Sequence, residues 1–137
     1  MNGENCLIDT NIFLEILLNQ KNADECEVLL KKINKDESSF YVSSFALHSI
    51  EVIMMRNNKG EDLASFLSFI ARSKIIRIET TISDELDALK NMKKFQLDFD
   101  DALQLSLCKK YSLVIISYDK HFDKTPTKRI EPSQVDF

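Results

Sequence analysis

Apolar positions along the chain alternate between short unbroken runs and runs spaced three and four residues apart, a pattern that predicts strands interleaved with helices. "NCLID" (5–9) is a short apolar run suited to a buried strand, and "TNIFLEILLNQ" after it sets Ile12, Phe13, Ile16 and Leu17 at helical spacing. "ADECEVLLKKINK" predicts a second amphipathic helix with Cys26, Leu29, Leu30 and Ile33 on one side. "SFYVSS" is a short strand, followed by a helix from about Phe45 to Arg56. "EDLASFLSFIARS" is helical, "KIIRI" is a strand, and "TISDELDALKNMKKF" is a helix that either Thr81 or Ser83 could cap. An acidic turn leads into the helix "DDALQLSLCKKY", and "SLVIIS", apolar and β-branched, is the clearest strand of all. Strands alternating with helices imply a mainly parallel sheet covered on both faces, an α/β fold of three layers. In such sheets ligands bind beyond the carboxyl ends of the strands.

Composition narrows the choice. With 137 residues and neither repeats nor Pro/Gly linkers, the expectation is a single domain over residues 1–137. Hydrophobic residues make 44% and charged residues 29%, and no apolar run approaches a membrane span, so no membrane association is expected. The N-terminus meets Asp9 too soon for a secretory signal, which leaves the cytoplasm as the expected compartment. Three cysteines, at 6, 26 and 108, match neither a disulfide framework nor a zinc site. Only two glycines, Gly3 and Gly60, remove the glycine-rich phosphate loops of P-loop and dinucleotide enzymes. The net charge of −4 means that any nucleic acid would have to be attracted by local Lys/Arg groups or bound cations.

Carboxylates are the candidate chemistry. Asp9 stands just after the first apolar run, Asp119 just after the last, and "LDFDDAL" crowds Asp98, Asp100 and Asp101 into four positions. Asp101 opens the helix that precedes the strand leading to Asp119, so it can face the same crevice. Such a cluster repels itself unless protons or cations neutralise it, and hard oxygen ligands suit Mg²⁺ or Mn²⁺. A centre of that kind supports hydrolysis of phosphodiesters. The bland reading is that Asp100 or Asp101 caps the helix, that Asp98 is a solvated turn residue or a supporting neighbour, and that Asp9 and Asp119 are ordinary cap and turn residues. Capping, however, suffices for one acid of a consecutive pair only.

"CLIDTNIFLEILL", "YVSSFALHSIE", "DFDDALQLSL" and "LVIISYDKHFDK" resemble, in order and across nearly the whole chain, the four successive motifs of PIN-domain ribonucleases, a family that includes the VapC toxins of toxin–antitoxin modules. The resemblance implies a PIN-like parallel sheet between helices and acidic residues that hold Mg²⁺ or Mn²⁺ to cut RNA. It makes Asp9, Asp101 and Asp119 the metal-binding acids, Asn11 and Ser117 residues that steady them, and Asp100 a frequently acidic neighbour. The chain departs from the family at the second motif. The glutamate expected there falls on Ser49, while Glu51 lies two positions further on, about 200° around a helix. Either a local shift turns Glu51 inward as a fourth catalytic acid, or the site runs with three acids and a serine.

The only histidines are His48, beside the missing glutamate, and His121 in "YDKHF". Lys120, His121 and Lys124, with Lys128 and Arg129, form a basic group after Asp119 that is the candidate phosphate-contacting surface, its alternative being a solvated loop. The nine Phe residues fall mostly at core spacing. The leading expectation is a metal-dependent endoribonuclease, including the toxin of a type II toxin–antitoxin pair. The resemblance implies a homodimer and an antitoxin protein whose segment covers the cleft. The alternative is a PIN-like RNA- or protein-binding scaffold whose catalysis has weakened at Ser49. A phosphotransfer aspartate fits poorly, because phosphatases of that kind want a second Asp where Asn11 stands.

Overall fold

Each strand of the protein is short and each is followed by a helix that starts on a polar cap, so the chain turns back at the same end of the sheet every time. The computed structural model describes residues 4–35 and 37–135. The elements are β1 (Cys6–Ile8), α1 (Thr10–Leu17), α2 (Ala23–Ile33), β2 (Phe40–Ser43), α3 (Ser44–Arg56), α4 (Gly60–Arg72), β3 (Ile76–Ile78), α5 (Ile82–Phe95), α6 (Phe99–Tyr111), β4 (Val114–Ile116) and β5 (Arg129–Ile130). Short 3₁₀ turns cover Lys120–Lys124 and Pro132–Gln134. All four strand pairings are parallel, in the order β3-β2-β1-β4-β5.

Residues alternate across the sheet as a pleated strand requires. Cys6 and Ile8 face one core with Val42 and Ile116, against α1, α2, α3 and α4. Leu7 and Ile115 face the other, against Ala88 of α5 and Ala102, Leu103 and Leu105 of α6. The sheet is thus the middle of three layers, as its alternating pattern predicts. Both faces being covered also explains why "CLI" and "VII" are apolar throughout rather than alternating.

The order of the sheet positions the site. From β1 the chain builds outward through β2 to β3, then returns to the opposite side of β1 as β4. Such a reversal opens a crevice at the carboxyl ends of the two central strands, here β1 and β4. Their register pairs Ile8 with Ile116, so Asp9 and Ser117 leave the sheet side by side.

Two local expectations change and one open choice is resolved. The C-terminal segment read as a basic group, with a solvated loop as the alternative and no element assigned, forms the 3₁₀ turn and β5, because Arg129 and Ile130 pair with Ile115 and Ile116 on the open edge of β4. The acidic helix begins at Phe99, one residue earlier than the pattern suggests, with Asp98 as its cap. Of the two candidates for α5, Thr81 is the cap, in a reciprocal box with Asp84.

Candidate active site

Asp9 caps α1, where its Oδ1 accepts from the Thr10 N–H at 2.9 Å. Its Oδ2 accepts from Ser117 Oγ at 2.6 Å, a bond between residues 108 positions apart that the β1–β4 pairing makes possible. Ser117 Oγ in turn accepts from the Asp119 N–H at 2.9 Å, so one hydroxyl ties the first acid to the backbone of the last. Gln104 Nε2 approaches Asp9 Oδ1 at 3.5 Å, while Gln104 Oε1 accepts from Ser43 Oγ, the cap of α3, at 3.0 Å. The side chains around Asp9 therefore bring together the ends of β1, β2 and β4 with the middle of α6.

Asp98 Oδ1 accepts from the Asp101 N–H at 3.0 Å. Capping thus falls to Asp98, and neither Asp100 nor Asp101 is used for it. The earlier helix start is the reason: it makes Asp98 the cap and carries Asp101 to the third helical position, where it is buried. Asp101, Asp119 and His121 each offer a ligand atom, and these atoms lie within 4.8 Å of one another. Asp119 Oδ1 accepts from the His121 N–H at 2.9 Å, and His121 Nδ1 lies 3.1 Å from the same oxygen and 3.8 Å from Asp101 Oδ2. Phe122, fully buried next door, pins this turn to the core under α6.

The electrostatics are those of crowded acids. Burial, then the Asp119 carboxyl, then the charges of Asp98 and Asp9 push Asp101 up to about 8. Burial also raises Asp9 above the ordinary carboxylate range, against the lowering effect of its bonds from Ser117, Gln104 and Thr10. Two neighbouring carboxyls that resist ionisation together are a donor set with capacity for a cation.

The other expected residues divide. Glu51 is not brought to this group: its Oε1 is 3.0 Å from His48 Nδ1, so it pairs along its own helix instead of turning inward. The extra 200° from position 49 to 51 carries it to that side, where the histidine three residues before it is the nearest partner. Ser49 is half-buried and lines a groove of about 350 Å³ with Phe45, His48, Val52, Ile53 and Asp100. Asn11 is exposed, and the steadying bonds on Asp9 come from Ser117, Gln104 and Thr10. In the basic group, Lys120 is exposed, Lys124 Nζ donates to the Gln96 carbonyl, and Arg129 is bound by Asp123, Glu131 and the Ser117 carbonyl. Sequence reasoning missed Gln104 and Ser43. The available signal was a glutamine one turn after Asp101 in an otherwise apolar helix run.

The PIN domain family model matches residues 6–128. The chain belongs to the PIN domain family. No curated protein matches it by sequence. Among solved structures, this PIN domain is similar in fold to VapBC2 from Rickettsia felis bound to a promoter DNA fragment, with a TM-score of 0.75 at 13% identity, covering 93% of this chain and 98% of that one. It is also similar to Mycobacterium tuberculosis VapC20, a sarcin–ricin loop cleaving toxin, with a TM-score of 0.74 at 11% identity over 89% and 95%. A Klebsiella pneumoniae toxin–antitoxin complex gives 0.70 at 17% identity over 95% and 99%. At such identities the likeness is one of fold. Among the described residues of this PIN domain, no helix is long and apolar enough to cross a membrane.

Proposed function

We propose that this PIN domain, as one unit over residues 1–137, is a metal-dependent endoribonuclease, acting as the toxin of a toxin–antitoxin pair in the cytoplasm. The observation that carries the reading is the convergence of Asp101 and Asp119 beside Asp9, at the reversal point of a parallel sheet, with Asp101 pushed up to about 8. Asp9, Asp101 and Asp119 hold one or more Mg²⁺ or Mn²⁺ ions, which suit an all-oxygen set of this kind. A divalent cation bound there supplies Lewis acidity toward water and toward phosphate oxygens. Ser117 and Gln104 orient Asp9, and Asp98 fixes the helix start that aims Asp101. Lys120, exposed just after Asp119, offers a contact for the RNA backbone.

Two surfaces support the expected partners. An apolar groove of about 450 Å³ between α1, α2 and α4, lined by Ile16, Leu17, Leu30, Phe66 and Phe69, suits an antitoxin segment. Ile82, Leu86 and Leu89 are exposed at helical spacing along α5, with Ile76 also exposed on the edge strand β3, a pattern that suits a second copy of the chain.

Cleavage of a mixed pool of single-stranded and structured RNA, with Mn²⁺, Mg²⁺ or EDTA, tests the reading. Metal-dependent cutting that disappears in Asp101→Asn supports it. The pairing of Glu51 with His48 is what favours the scaffold alternative. RNA bound without cutting, and no metal effect on thermal stability, would select that alternative.

A further inference from the structure

The second motif leaves the carboxylate group without its expected glutamate, and a nitrogen stands near the remaining acids. Glu51 is engaged by His48, whereas His121 is held at the group by its own backbone, whose N–H donates to Asp119 Oδ1 at 2.9 Å. The 3₁₀ turn Lys120–Lys124, anchored by fully buried Phe122, gives the imidazole a fixed base. Nδ1 lies 3.1 Å from Asp119 Oδ1 and 3.8 Å from Asp101 Oδ2. Two ligand atoms each about 2.1 Å from one ion are about 3.0 Å apart at a right angle and about 4.2 Å apart when opposite. Both observed separations fall within that span.

We infer that His121 is a direct nitrogen ligand of the divalent cation, supplying the donor that Glu51 does not, and that it shifts the preference of the centre from Mg²⁺ toward Mn²⁺ and Co²⁺. This rests on the metal-centre reading of Asp9, Asp101 and Asp119. An all-carboxylate set suits Mg²⁺, while imidazole suits transition metals, whose affinity for mixed N/O sites rises from Mn²⁺ to Co²⁺. The His121 side chain is 69% exposed, so its removal leaves the core untouched.

The chain has only two histidines, which makes the test selective. The full chain is loaded with Mn²⁺ as wild type, His121→Ala and His48→Ala, and electron spin-echo modulation from a coordinated nitrogen is recorded beside calorimetric Kd values for Mg²⁺, Mn²⁺ and Co²⁺. Nitrogen modulation in the wild type and His48→Ala but not in His121→Ala is the expected result. The Mn²⁺ Kd should rise at least about tenfold in His121→Ala, a loss seen even when a ligand's hydrogen-bond partner is removed. The Mg²⁺ Kd should move less. Mn²⁺ binding without nitrogen modulation, or modulation that survives His121→Ala, overturns the assignment and leaves the metal centre standing. Absence of binding by all three ions in the wild type overturns both.

Discussion

Asp84 and Asp101 occupy the same place in two consecutive helices. Each is the third residue after a cap, Thr81 in one case and Asp98 in the other, and each is nearly buried, at 5% and 7% exposure. Both helices also end on a residue in the left-handed region, Gln96 at φ 53° and Ser112 at φ 55°. Their electrostatics are nonetheless opposite. Burial works against Asp84, but the Thr81 N–H and the Lys110 ammonium at 3.1 Å outweigh it and hold the carboxyl below its usual range. Asp101 is buried among acids and is pushed up to about 8. A buried carboxylate at the third position of a helix thus supports the cap where a cation closes over it. Where acids and one imidazole face it, with no Lys or Arg closing over it, the same local geometry has capacity for a metal.

The comparison breaks most sharply under exchange of one atom. Asp101→Asn should abolish Mn²⁺-dependent thermal stabilisation and lower RNA cleavage at least about a hundredfold, while leaving the metal-free Tm unchanged or higher. Asp84→Asn should do the reverse: cleavage persists, and chemical denaturation shows a loss of about 2 kcal/mol as the bonds from Thr81 and Lys110 weaken. Equal losses of cleavage in both variants would mean that the two sites do not differ in kind.

Ser117→Ala removes the hydroxyl that bonds Asp9 and receives the Asp119 N–H. Calorimetry should show Mn²⁺ affinity down by about 10- to 100-fold, with Ser117→Thr close to wild type. The matching change on the structural side, Thr81→Ala, should cost about 1 kcal/mol and leave Mn²⁺ affinity alone.

Stability against pH, measured as urea midpoints in EDTA, should carry both signs. Asp101 binds its proton more tightly folded than unfolded, so its contribution favours folding at low pH and is lost as pH rises from an ordinary aspartate's 3.8 to about 8. Asp9 acts in the same direction, whereas Asp84 stabilises above 3.8 and loses that contribution as pH falls below it. The wild-type midpoint should therefore fall between pH 5 and pH 8, and Asp101→Asn should flatten the fall. The smallest expected effect is common to both helices: Gln96→Gly and Ser112→Gly should each stabilise by up to about 1 kcal/mol, since each relieves a left-handed backbone that a side chain resists.

Legibility followed length and locality. The long helices stand where their spacing predicts, because a dozen residues of consistent period outweigh local noise, and the short strands β1 and β4 stand where their unbroken apolar runs do. Strand β5 was illegible: Arg129 and Ile130 carry no period of their own and become a strand only by pairing with β4. Asp9 and Asp119 were legible as acids following strands, and Asp101 as the acid of a motif. Gln104 and Ser43 were not, because a glutamine and a serine have many uses and only their 3.0 Å bond across 61 residues shows this one. Glu51 could not be decided from spacing, and its bond to His48 decides its place here.

By itself, the sequence determined the alternation of strands and helices, the covered parallel sheet, and the acids that follow its strands. These depend on periodicity and on caps, which act within a turn or two of chain. Tertiary structure decided that β1 lies beside β4, that Asp98 caps so that Asp101 is left for the cluster, and that Lys110 rather than another acid meets Asp84. The physical reason is range: a helix start is set by neighbours three residues away, whereas the charge state of a buried carboxylate is set by groups 26 or 108 residues distant that the fold brings into contact.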